Sequence, residues 1–223
     1  MLQILRDIYS DLELANALGF KGGTALMFFY DLPRFSVDLD FNLIQPDKEK
    51  ETAIYQKIRN ILFKYGQIDD EAQKFFGPIL VLNYGKGERK LKVEISNRQQ
   101  DCRYEIKNYM GINMLVMTVA DMFANKLCAL LDRSELVNRD IFDCWFFMEN
   151  RTPVNKNLVE SRMKMPFSDY LQNCIDTLNS LSNKNLLNGI GDLIDEKKKH
   201  FVRTKLCSET IMLLQFYKEF PII

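Results

Sequence analysis

The spacing of apolar side chains changes near residue 34, where a helical pattern gives way to an extended one. Residues 2–18 place apolar side chains three or four positions apart, which predicts an amphipathic helix that ends at Gly19. Residues 34–43 instead alternate between polar and apolar types, and the apolar positions are Phe35, Val37, Leu39, Phe41 and Leu43. A period of two predicts an extended segment with one apolar face, whose regular strand starts near Val37.

The same patterns predict the remaining elements and a change of architecture at Thr118. A short helix is predicted after Gly22-Gly23-Thr24, before Pro33. The other elements of this half are a helix at 48–65, strands at 79–84, 90–96 and 112–117, and a hairpin loop at 86–89. From Thr118 the pattern is helical, with helices at 118–132 and 138–149 and about three more after residue 153. The sequence therefore predicts an α/β (α+β) domain over residues 1–117, with a mixed sheet and flanking helices, and an all-helical domain over residues 118–223.

Composition and charge exclude several classes of protein. Hydrophobic residues make up 47% of the 223 residues and charged residues 27%, as in a soluble globular protein. Basic and acidic residues number 30 each, which argues against a generally basic nucleic-acid binder. His200 is the only histidine and the five cysteines form no C-x-x-C pair, so multi-histidine zinc sites and Ser-His-Asp hydrolysis are not indicated. No apolar run approaches the roughly 18 residues that span a bilayer, and we expect a cytoplasmic protein without membrane association.

Asp38 and Asp40 are the first candidates for chemistry. Residues two apart on a strand lie on the same face, about 6.6 Å from each other. Two carboxylates about 5 Å apart repel by ~3 kcal/mol at an effective dielectric constant of about 20. A cation would offset this repulsion, and carboxylate oxygens suit Mg²⁺ or Mn²⁺. The alternative is an exposed polar strand face on which water screens the pair.

Glu94 lies on the polar face of the predicted strand at 90–96. It would join Asp38 and Asp40 if the two strands are neighbours, and three carboxylates from two strands can hold two metal ions. The alternative partner of Glu94 is a lysine of its own strand, Lys92 or Lys90.

Gly22, Gly23 and Thr24 mark the start of the short helix. Two glycines let the backbone approach a ligand closely, and the N-terminus of a helix presents unpaired N–H groups to an anion. Thr24 could donate to a phosphate or cap the helix, and a tight turn with a threonine cap is the alternative interpretation.

Two strings of residues in this half carry a family resemblance. They are Lys21-Gly22-Gly23-Thr24-Ala25-Leu26 and Arg34-Phe35-Ser36-Val37-Asp38-Leu39-Asp40-Phe41. Together they resemble the G-[GS]-[ST] helix start and the D-x-D metal site of the nucleotidyltransferase superfamily. The fuller pattern is similar to the AbiEii/AbiGii toxin family of abortive-infection and toxin–antitoxin systems.

The helical half resembles the later motifs of the same family. Lys126-Leu127-x-Ala129-Leu130 and Arg139-Asp140-x-x-Asp143 look like its K-L-x-A and R-D-x-x-D helices, so the resemblance spans roughly residues 20–145. From the residues alone, a partly buried Lys126 needs a carboxylate or phosphate partner. A Lys126–Asp143 bridge between two helices and a catalytic role therefore both stay open.

The resemblance implies a role for each candidate. Asp38, Asp40 and Glu94 would bind Mg²⁺ or Mn²⁺, and Glu94 could accept the proton of the acceptor hydroxyl. The nucleoside triphosphate, as substrate, would be held by a second group of residues: Gly22, Gly23, Thr24 and Lys126. Asp140 or Asp143 would orient Lys126, and the helical domain would contribute to the active-site cleft.

Three further features near these motifs have two interpretations each. Arg34 either binds the triphosphate or pairs with a nearby acid. Ser36, two residues before Asp38, could hydrogen-bond a metal-bound water, and its phosphorylation would oppose nucleotide binding. Residues 86–107 carry seven basic and four acidic side chains, which suits either a nucleic-acid backbone or a solvated hairpin.

The resemblance implies the transfer of a nucleoside monophosphate from a triphosphate to an acceptor hydroxyl. The expected acceptor is RNA, the tRNA 3′ end first of all. The protein would be a toxin restrained by a separately encoded antitoxin, for which a DNA-binding regulator is one candidate. Two alternatives stay open: modification of a small molecule such as an antibiotic, or of a protein, and nucleotide binding without turnover.

Overall fold

A computed structural model describes residues 1–98, 101–133, 135–181 and 185–222, and it contains two compact units. The first unit comprises Met1–Asp31 and Phe35–Met117, and the second comprises Leu32–Arg34 and Thr118–Ile223. The short segment that follows the first glycine-led helix therefore packs with the helical unit, although its neighbours on both sides belong to the α/β unit.

A seven-stranded mixed sheet forms the centre of the first unit. The strands are β1 Leu18–Lys21, β2 Leu39–Leu43, β3 Gln67–Lys74, β4 Gly77–Asn83, β5 Leu91–Ser96, β6 Tyr104–Tyr109 and β7 Ile112–Met117. Their order across the sheet is β3-β4-β5-β2-β1-β7-β6. Parallel pairing joins β2 to β5 and β1 to β7, whereas the other neighbours are antiparallel. The predicted α/β class is confirmed, and β2 lies in the middle of the sheet.

Four helices belong to this unit: α1 Leu2–Ser10, α2 Leu12–Ala17, α3 Gly22–Phe29 and α4 Lys48–Phe63. Ile4, Leu5 and Ile8 form the buried side of α1. On the sheet, the ring of Phe41 in β2 lies 5.4 Å from the ring of Phe20 in β1. Apolar residues of β2 thus build the core, and the intervening positions of the strand are left for polar side chains.

The single helix predicted over residues 2–18 is wrong in two ways. Asp11 adopts an extended conformation and its carboxylate caps α2 by accepting from the backbone N–H groups of Glu13 and Leu14. The chain then turns extended at Leu18 and forms β1, because that strand has a sheet neighbour on each side. Leu18 therefore packs as part of a strand instead of ending the helix.

The start of β2 also differs from the prediction. Regular pairing begins at Leu39, and the side chain of Phe35 is 68% exposed. Alternation upstream of Leu39 therefore does not reflect a strand face. The consequence for the site is that Asp38 precedes the strand and only Asp40 lies within it.

The described residues of the second unit form six α-helices and one short 3₁₀ helix, Gly191–Leu193. The α-helices are α5 Val119–Asp132, α6 Asn138–Glu149, α7 Lys156–Met163, α8 Phe167–Ser180, α9 Glu196–Thr204 and α10 Leu206–Glu219. Phe123 of α5 stacks on Phe147 of α6 at 4.9 Å between ring centroids. The hydroxyl of Tyr170 on α8 donates to the carbonyl of Leu127 at 2.6 Å. Among the described residues, no helix combines the length and apolar character required to cross a membrane.

Candidate active site

The pairing register of three neighbouring strands sets the position of Asp40. In the parallel pair of β2 and β5, Asp40 lies opposite Glu94, and in the antiparallel pair of β1 and β2 it lies opposite Lys21. Backbones of adjacent strands lie about 4.8 Å apart. Asp40 is therefore flanked by an acidic residue on one side and a basic residue on the other.

Burial and neighbouring charge act on Asp40 in opposite directions. Removal from water raises the pKa of Asp40, and the carboxylates of Glu94 and Asp38 raise it further. The ammonium groups of Lys92 and Lys21 lower it, but the net shift of the pKa is upward. An acid whose charged form is penalised in this way gains from any additional cation placed beside it.

Lys92 also belongs to this charge cluster. The sequence indicated it only as an alternative partner of Glu94. Its Nζ lies 3.1 Å from Oε2 of Glu94. Burial lowers the pKa of Lys92, but Asp40, Glu94 and Asp38 together produce a net upward shift. The lysine–glutamate pair on β5 is present. Lys92 also belongs with the candidate site residues because its ammonium group interacts with Asp40 on β2 as well as with Glu94 on β5.

The first residue of α3 lies directly against Asp40. The helix begins at Gly22, which corrects the prediction that the glycines only precede it. Gly22 has a φ of +79°, and a Cβ at this position would lie 2.2 Å from Oδ2 of Asp40. Glycine is required at position 22 for two reasons. The positive φ favours glycine, and the Asp40 carboxylate occupies the space that a Cβ would need.

We expect Gly22→Ala to lower about 100-fold the rate of the nucleotidyl transfer that the motif resemblance implies, because the added methyl group displaces the Asp40 carboxylate. It should also cost about 1–3 kcal/mol of stability through backbone strain. Steady-state kinetics and chemical denaturation measure the two effects separately.

Gly87→Ala is the matched control for this prediction. Gly87 has a φ of +87°, but a Cβ there would meet nothing within 4 Å. This variant carries comparable backbone strain without touching a carboxylate, so its transfer rate should equal that of the wild type. An equal loss of rate in both variants would contradict the assigned role of Gly22.

Thr24 ties α3 to the residue that precedes β2. Its side chain is fully buried, and its hydroxyl donates to the backbone carbonyl of Asp38 at 2.5 Å. The N-cap residue of α3 is Lys21, and its side chain makes no capping hydrogen bond. Gly23 is also buried in this first turn. The hydroxyl proton predicted to reach a phosphate is therefore donated to the carbonyl of Asp38 instead.

The donor set suits a divalent cation, although the carboxylates are not arranged around one. Within the described ranges, no three Asp, Glu, His or Cys side chains form a group that could hold a metal ion. However, Asp40 is a partly exposed carboxylate with a raised pKa beside two further acids, and such oxygen donors suit Mg²⁺ or Mn²⁺. Asp38 and Asp40 are the residues that would hold the ion, and Glu94 would join them only by exchanging its contact with Lys92.

A second cluster of charged side chains lies inside the helical unit. Arg34 donates to both carboxylate oxygens of Asp143, from Nε at 2.6 Å and from Nη2 at 2.7 Å. Lys126 lies 2.7 Å from Oδ2 of Asp143 and donates to Oδ1 of Asp140 at 3.0 Å. Arg133 adds an ion pair with Asp140 at 2.9 Å. The bridge between Lys126 and Asp143 that the sequence allowed is therefore present.

The two carboxylates of this cluster lie in the interior, with side chains at most 2% exposed. Burial favours a raised pKa of Asp143, but Arg34 and Lys126 outweigh it and lower the pKa to about 2. Burial favours a lowered pKa of Lys126, but Asp143 and Asp140 outweigh it and raise that pKa. Asp143 and Lys126 are therefore both charged at neutral pH.

Arg34 and Lys126, two predicted ligands of the triphosphate, thus contact carboxylates in this structure. The guanidinium of Arg34 is engaged by Asp143, as in the alternative that the sequence left open. Ser36 is partly exposed in the segment between Arg34 and β2. The nucleotide roles of Arg34, Ser36, Lys126 and Asp140 stay predictions.

Acidic neighbours reduce the local excess of positive charge in residues 86–107. Three of its lysines form ion pairs, and these are Lys90 with Asp69 at 2.8 Å, Lys92 with Glu94 at 3.1 Å and Lys107 with Glu105 at 3.2 Å. A continuous basic track is therefore not supported by these lysines.

Comparison with solved structures places the chain among nucleotidyltransferase folds. JHP933 from Helicobacter pylori aligns with a TM-score of 0.59 and 20% identity, over 99% of this chain and 90% of that one. MenT4, a nucleotidyltransferase toxin from Mycobacterium tuberculosis H37Rv, aligns with a TM-score of 0.57 and 17% identity, over 97% and 85% of the two chains. An antigenic nucleotidyltransferase-like protein from Paracoccidioides brasiliensis aligns with a TM-score of 0.54 and 14% identity, over 78% and 87%.

The family follows from the sequence profile described as nucleotidyl transferase AbiEii toxin, type IV toxin–antitoxin system, which matches residues 3–200. The chain belongs to the AbiEii family, which confirms the resemblance seen in its motifs. It is a nucleotidyltransferase toxin that uses a nucleoside triphosphate and has a cognate antitoxin. No curated protein sequence matches the chain.

Proposed function

We propose that this toxin transfers a nucleoside monophosphate from a nucleoside triphosphate to the 3′-terminal hydroxyl of RNA, with tRNA as the main acceptor. The new bond joins the acceptor oxygen to the α-phosphorus, the α–β phosphoanhydride bond breaks, pyrophosphate leaves, and the reaction depends on a divalent metal ion. The observation that carries the metal-dependent part is the register that sets Asp40 beside Glu94 under the first turn of α3. Acids, a glycine-led helix start and a lysine held by two buried carboxylates are the parts such a reaction needs.

Asp38 and Asp40 hold the divalent ion in this proposal. The ion, when bound, neutralises charge on the transferring phosphoryl group. Glu94 accepts the proton of the attacking hydroxyl, for which its release from Lys92 is required. Backbone N–H groups at the start of α3, at Gly22 and Gly23, face the phosphates, because a helix N-terminus attracts anions.

Lys126 is the proposed contact to the triphosphate in the helical unit. The described ion pairs of its cluster join Arg34, Lys126 and Arg133 to Asp140 and Asp143. The carboxylates keep Lys126 positively charged and its side chain is 18% exposed, which supports binding of an anion there. Asp140 and Asp143 orient its ammonium group.

The acceptor is the part of the proposal that rests on family resemblance alone. A growth-inhibiting nucleotidyltransferase has to modify something that the cell needs, and the RNA 3′ end presents the hydroxyl that this reaction uses. The zero formal net charge of the chain gives no extra preference for RNA. The acceptor must therefore be determined by experiment.

The deciding experiment incubates the protein with Mg²⁺ and each of four radiolabelled nucleoside triphosphates. Separate reactions contain a tRNA pool, a protein mixture and aminoglycosides, and Asp40→Asn provides the blank. We expect label on tRNA 3′ ends only, and its loss with a chelator. Label on proteins or aminoglycosides but not on tRNA would overturn the choice of acceptor, and label on none of them would overturn the reaction.

A further inference from the structure

We infer that the tip of the β3–β4 hairpin is a stacking site for unpaired bases of the acceptor RNA. This aromatic tip consists of Phe75, Phe76 and the guanidinium of Arg98. The inference rests on RNA as the proposed acceptor. It names the surface of the α/β unit that holds the nucleotides next to the reacting 3′ end.

Two adjacent phenylalanines form the turn between β3 and β4. Phe75 is 88% exposed and Phe76 is 47% exposed. Tight turns are built mainly from glycine, proline, asparagine, aspartate and serine, which suit the backbone conformation and the contact with water. Folding of the hairpin therefore does not account for two aromatic rings at this position, whereas a binding role does.

The aromatic tip is held against the end of β5. The backbone N–H of Asn97 donates to the carbonyl of Phe76 at 3.1 Å. Gly77, the next residue, has a φ of +108°, and a Cβ at this position would overlap the carbonyl oxygen of Ile95. The two rings thus belong to an ordered turn, and an ordered side chain loses little conformational entropy when it binds a ligand.

The aromatic tip combines π faces with positive charge. The ring centroids of Phe75 and Phe76 are 4.9 Å apart, and the guanidinium carbon of Arg98 lies 3.8 Å from the centroid of the Phe76 ring. Lys74 adds a second cation directly before the tip. Unpaired RNA bases stack on aromatic rings and guanidinium planes, and neighbouring cations attract the phosphates that link these bases. Stacking of this kind does not require the excess of positive charge that the chain as a whole lacks.

The strand register places the aromatic tip close to the acids. Glu94 of β5 lies between Asp40 of β2 and Ile79 of β4, and the partner of Ile79 on β3 is Ala72. On both strands of the hairpin the tip lies three residues beyond this row, which is about 10 Å along the strand direction. Successive stacked nucleotides of one strand are about 3.4 Å apart. When the 3′ hydroxyl lies beside Glu94, the first few nucleotides before it are therefore within reach of the aromatic tip.

The size of the aromatic tip favours a nucleic acid over a protein as its partner. A standard protein interface buries about 800 Å² on each side, whereas one aromatic side chain buries about 150–250 Å². β3, which leads into the tip, exposes mainly polar side chains, so the apolar surface does not continue along the hairpin. A flat base matches the face of a single ring, and the strand of an RNA is the occupant that this small surface fits.

Phe75→Ala should raise the Kd for a short single-stranded RNA about tenfold, because it removes a stacking surface. The RNA has the 3′-terminal sequence of a tRNA and a fluorescent label, and anisotropy is measured in a chelator without nucleoside triphosphate. Phe75→Trp should bind at least as tightly as the wild type, since it keeps a π face. An equal Kd for Phe75→Ala and the wild type would overturn the inference, and loss of antitoxin binding by this variant would then assign the tip to a protein.

Phe63→Ala is the matched control. Phe63 is 47% exposed and also has a guanidinium near its ring, that of Arg59 at 4.6 Å. It lies at the far end of α4, however. Glu51, near the start of this helix, accepts from Asn97 beside the tip, and Phe63 follows twelve residues later, about 18 Å along the helix. Its Kd for the RNA should equal that of the wild type, and a rise as large as that of Phe75→Ala would contradict a site at the tip.

Photocrosslinking of the unmodified protein gives an answer that does not depend on how the variants fold. RNA with 4-thiouridine in place of the nucleotides next to the 3′ end should crosslink to the peptide that contains the aromatic tip, as identified by mass spectrometry. Crosslinks to other peptides alone would overturn the inference.

Neither binding nor crosslinking requires turnover, so the two proposals can fail separately. RNA held at the aromatic tip of a protein that transfers no nucleotide would contradict the proposed function alone. Transfer to RNA 3′ ends with an unchanged Kd of Phe75→Ala would contradict the inference alone.

Discussion

Asp40→Asn will reduce the rate of nucleotidyl transfer at least about 1000-fold and leave a folded protein. Asparagine has nearly the same shape as aspartate, so the contact with Gly22 is kept. It is neutral, however, and therefore a poor ligand for a divalent ion and no counter-charge for Lys92. Rates measured with saturating Mg²⁺ and acceptor RNA test this expectation.

The same substitution should not lower stability at pH 7. Burial raises the pKa of Asp40, so the folded state binds this proton more tightly than the unfolded state does. Stability contributed by Asp40 therefore falls as pH rises through the interval between the unfolded and the folded pKa. With the charge removed, the free energy of unfolding in a chelator should equal or exceed that of the wild type at pH 7.

Asp70→Asn is the control for both measurements. Asp70 lies on β3 at the edge of the sheet and is exposed, so neither its activity nor its stability should change by a measurable amount. Substantial transfer by Asp40→Asn under the same conditions would remove the central acid from the proposed reaction.

Asp143→Asn should lower the free energy of unfolding by about 3–5 kcal/mol. Asp143 is fully buried and accepts from Arg34 at 2.6 and 2.7 Å while Lys126 lies 2.7 Å away. Asparagine removes the negative charge that Arg34 and Lys126 both contact at this position. Urea denaturation monitored by circular dichroism measures the loss.

The pH dependence of stability provides a second test of this cluster. Because the pKa of Asp143 is about 2 in the folded protein and 3.8 in the reference state, the folded state binds the proton less tightly. Its stabilisation is complete above about pH 4 and disappears as the pH falls toward 2. The free energy of unfolding of Asp143→Asn should therefore fall less than that of the wild type when the pH is lowered from about 4 to 2, because this variant has no carboxylate to protonate at position 143.

Asp132→Asn gives the comparison for an exposed pair. Asp132 contacts Arg162 but its side chain is 41% exposed, so its loss should cost less than about 1 kcal/mol. If the two substitutions destabilise the protein equally, burial does not determine the strength of the Arg34–Asp143 pair.

Local patterns predicted much of the fold correctly. The helices at α4, α5 and α6 and the strands at β4, β5 and β7 are found within a few residues of their predicted limits. Each of them buries a periodic apolar face, and such a face is visible in the sequence. The hairpin loop between β4 and β5 is also confirmed, because the two strands pair antiparallel.

Three strands escaped prediction for physical reasons. β1 has four residues, too few to show a periodic pattern of apolar side chains. It is extended because it pairs with β2 and β7. β3 and β6 lie at the two edges of the sheet and carry polar or exposed side chains on both faces. Their pairing with distant residues decides their structure, and that pairing leaves no local pattern.

The candidate site shows the same division between local and long-range information. Alternation placed Asp40 and Glu94 on polar strand faces, but the register that sets them side by side depends on the parallel pairing of β2 with β5. The helix start at Gly22 and its contact with Asp40 depend on the way α3 packs on the sheet. For Arg34, the sequence offered a phosphate or an acid, and only the fold identifies Asp143.

The Arg34–Asp143 pair has a consequence for the synthesis of the toxin. The two residues are 109 positions apart, so Arg34 leaves the ribosome long before the carboxylate that neutralises it. A guanidinium without its counter-ion is costly to bury, so Arg34 would stay solvated until α6 has been translated. The buried charge cluster of the helical unit can therefore form only after more than half of the chain has been synthesised.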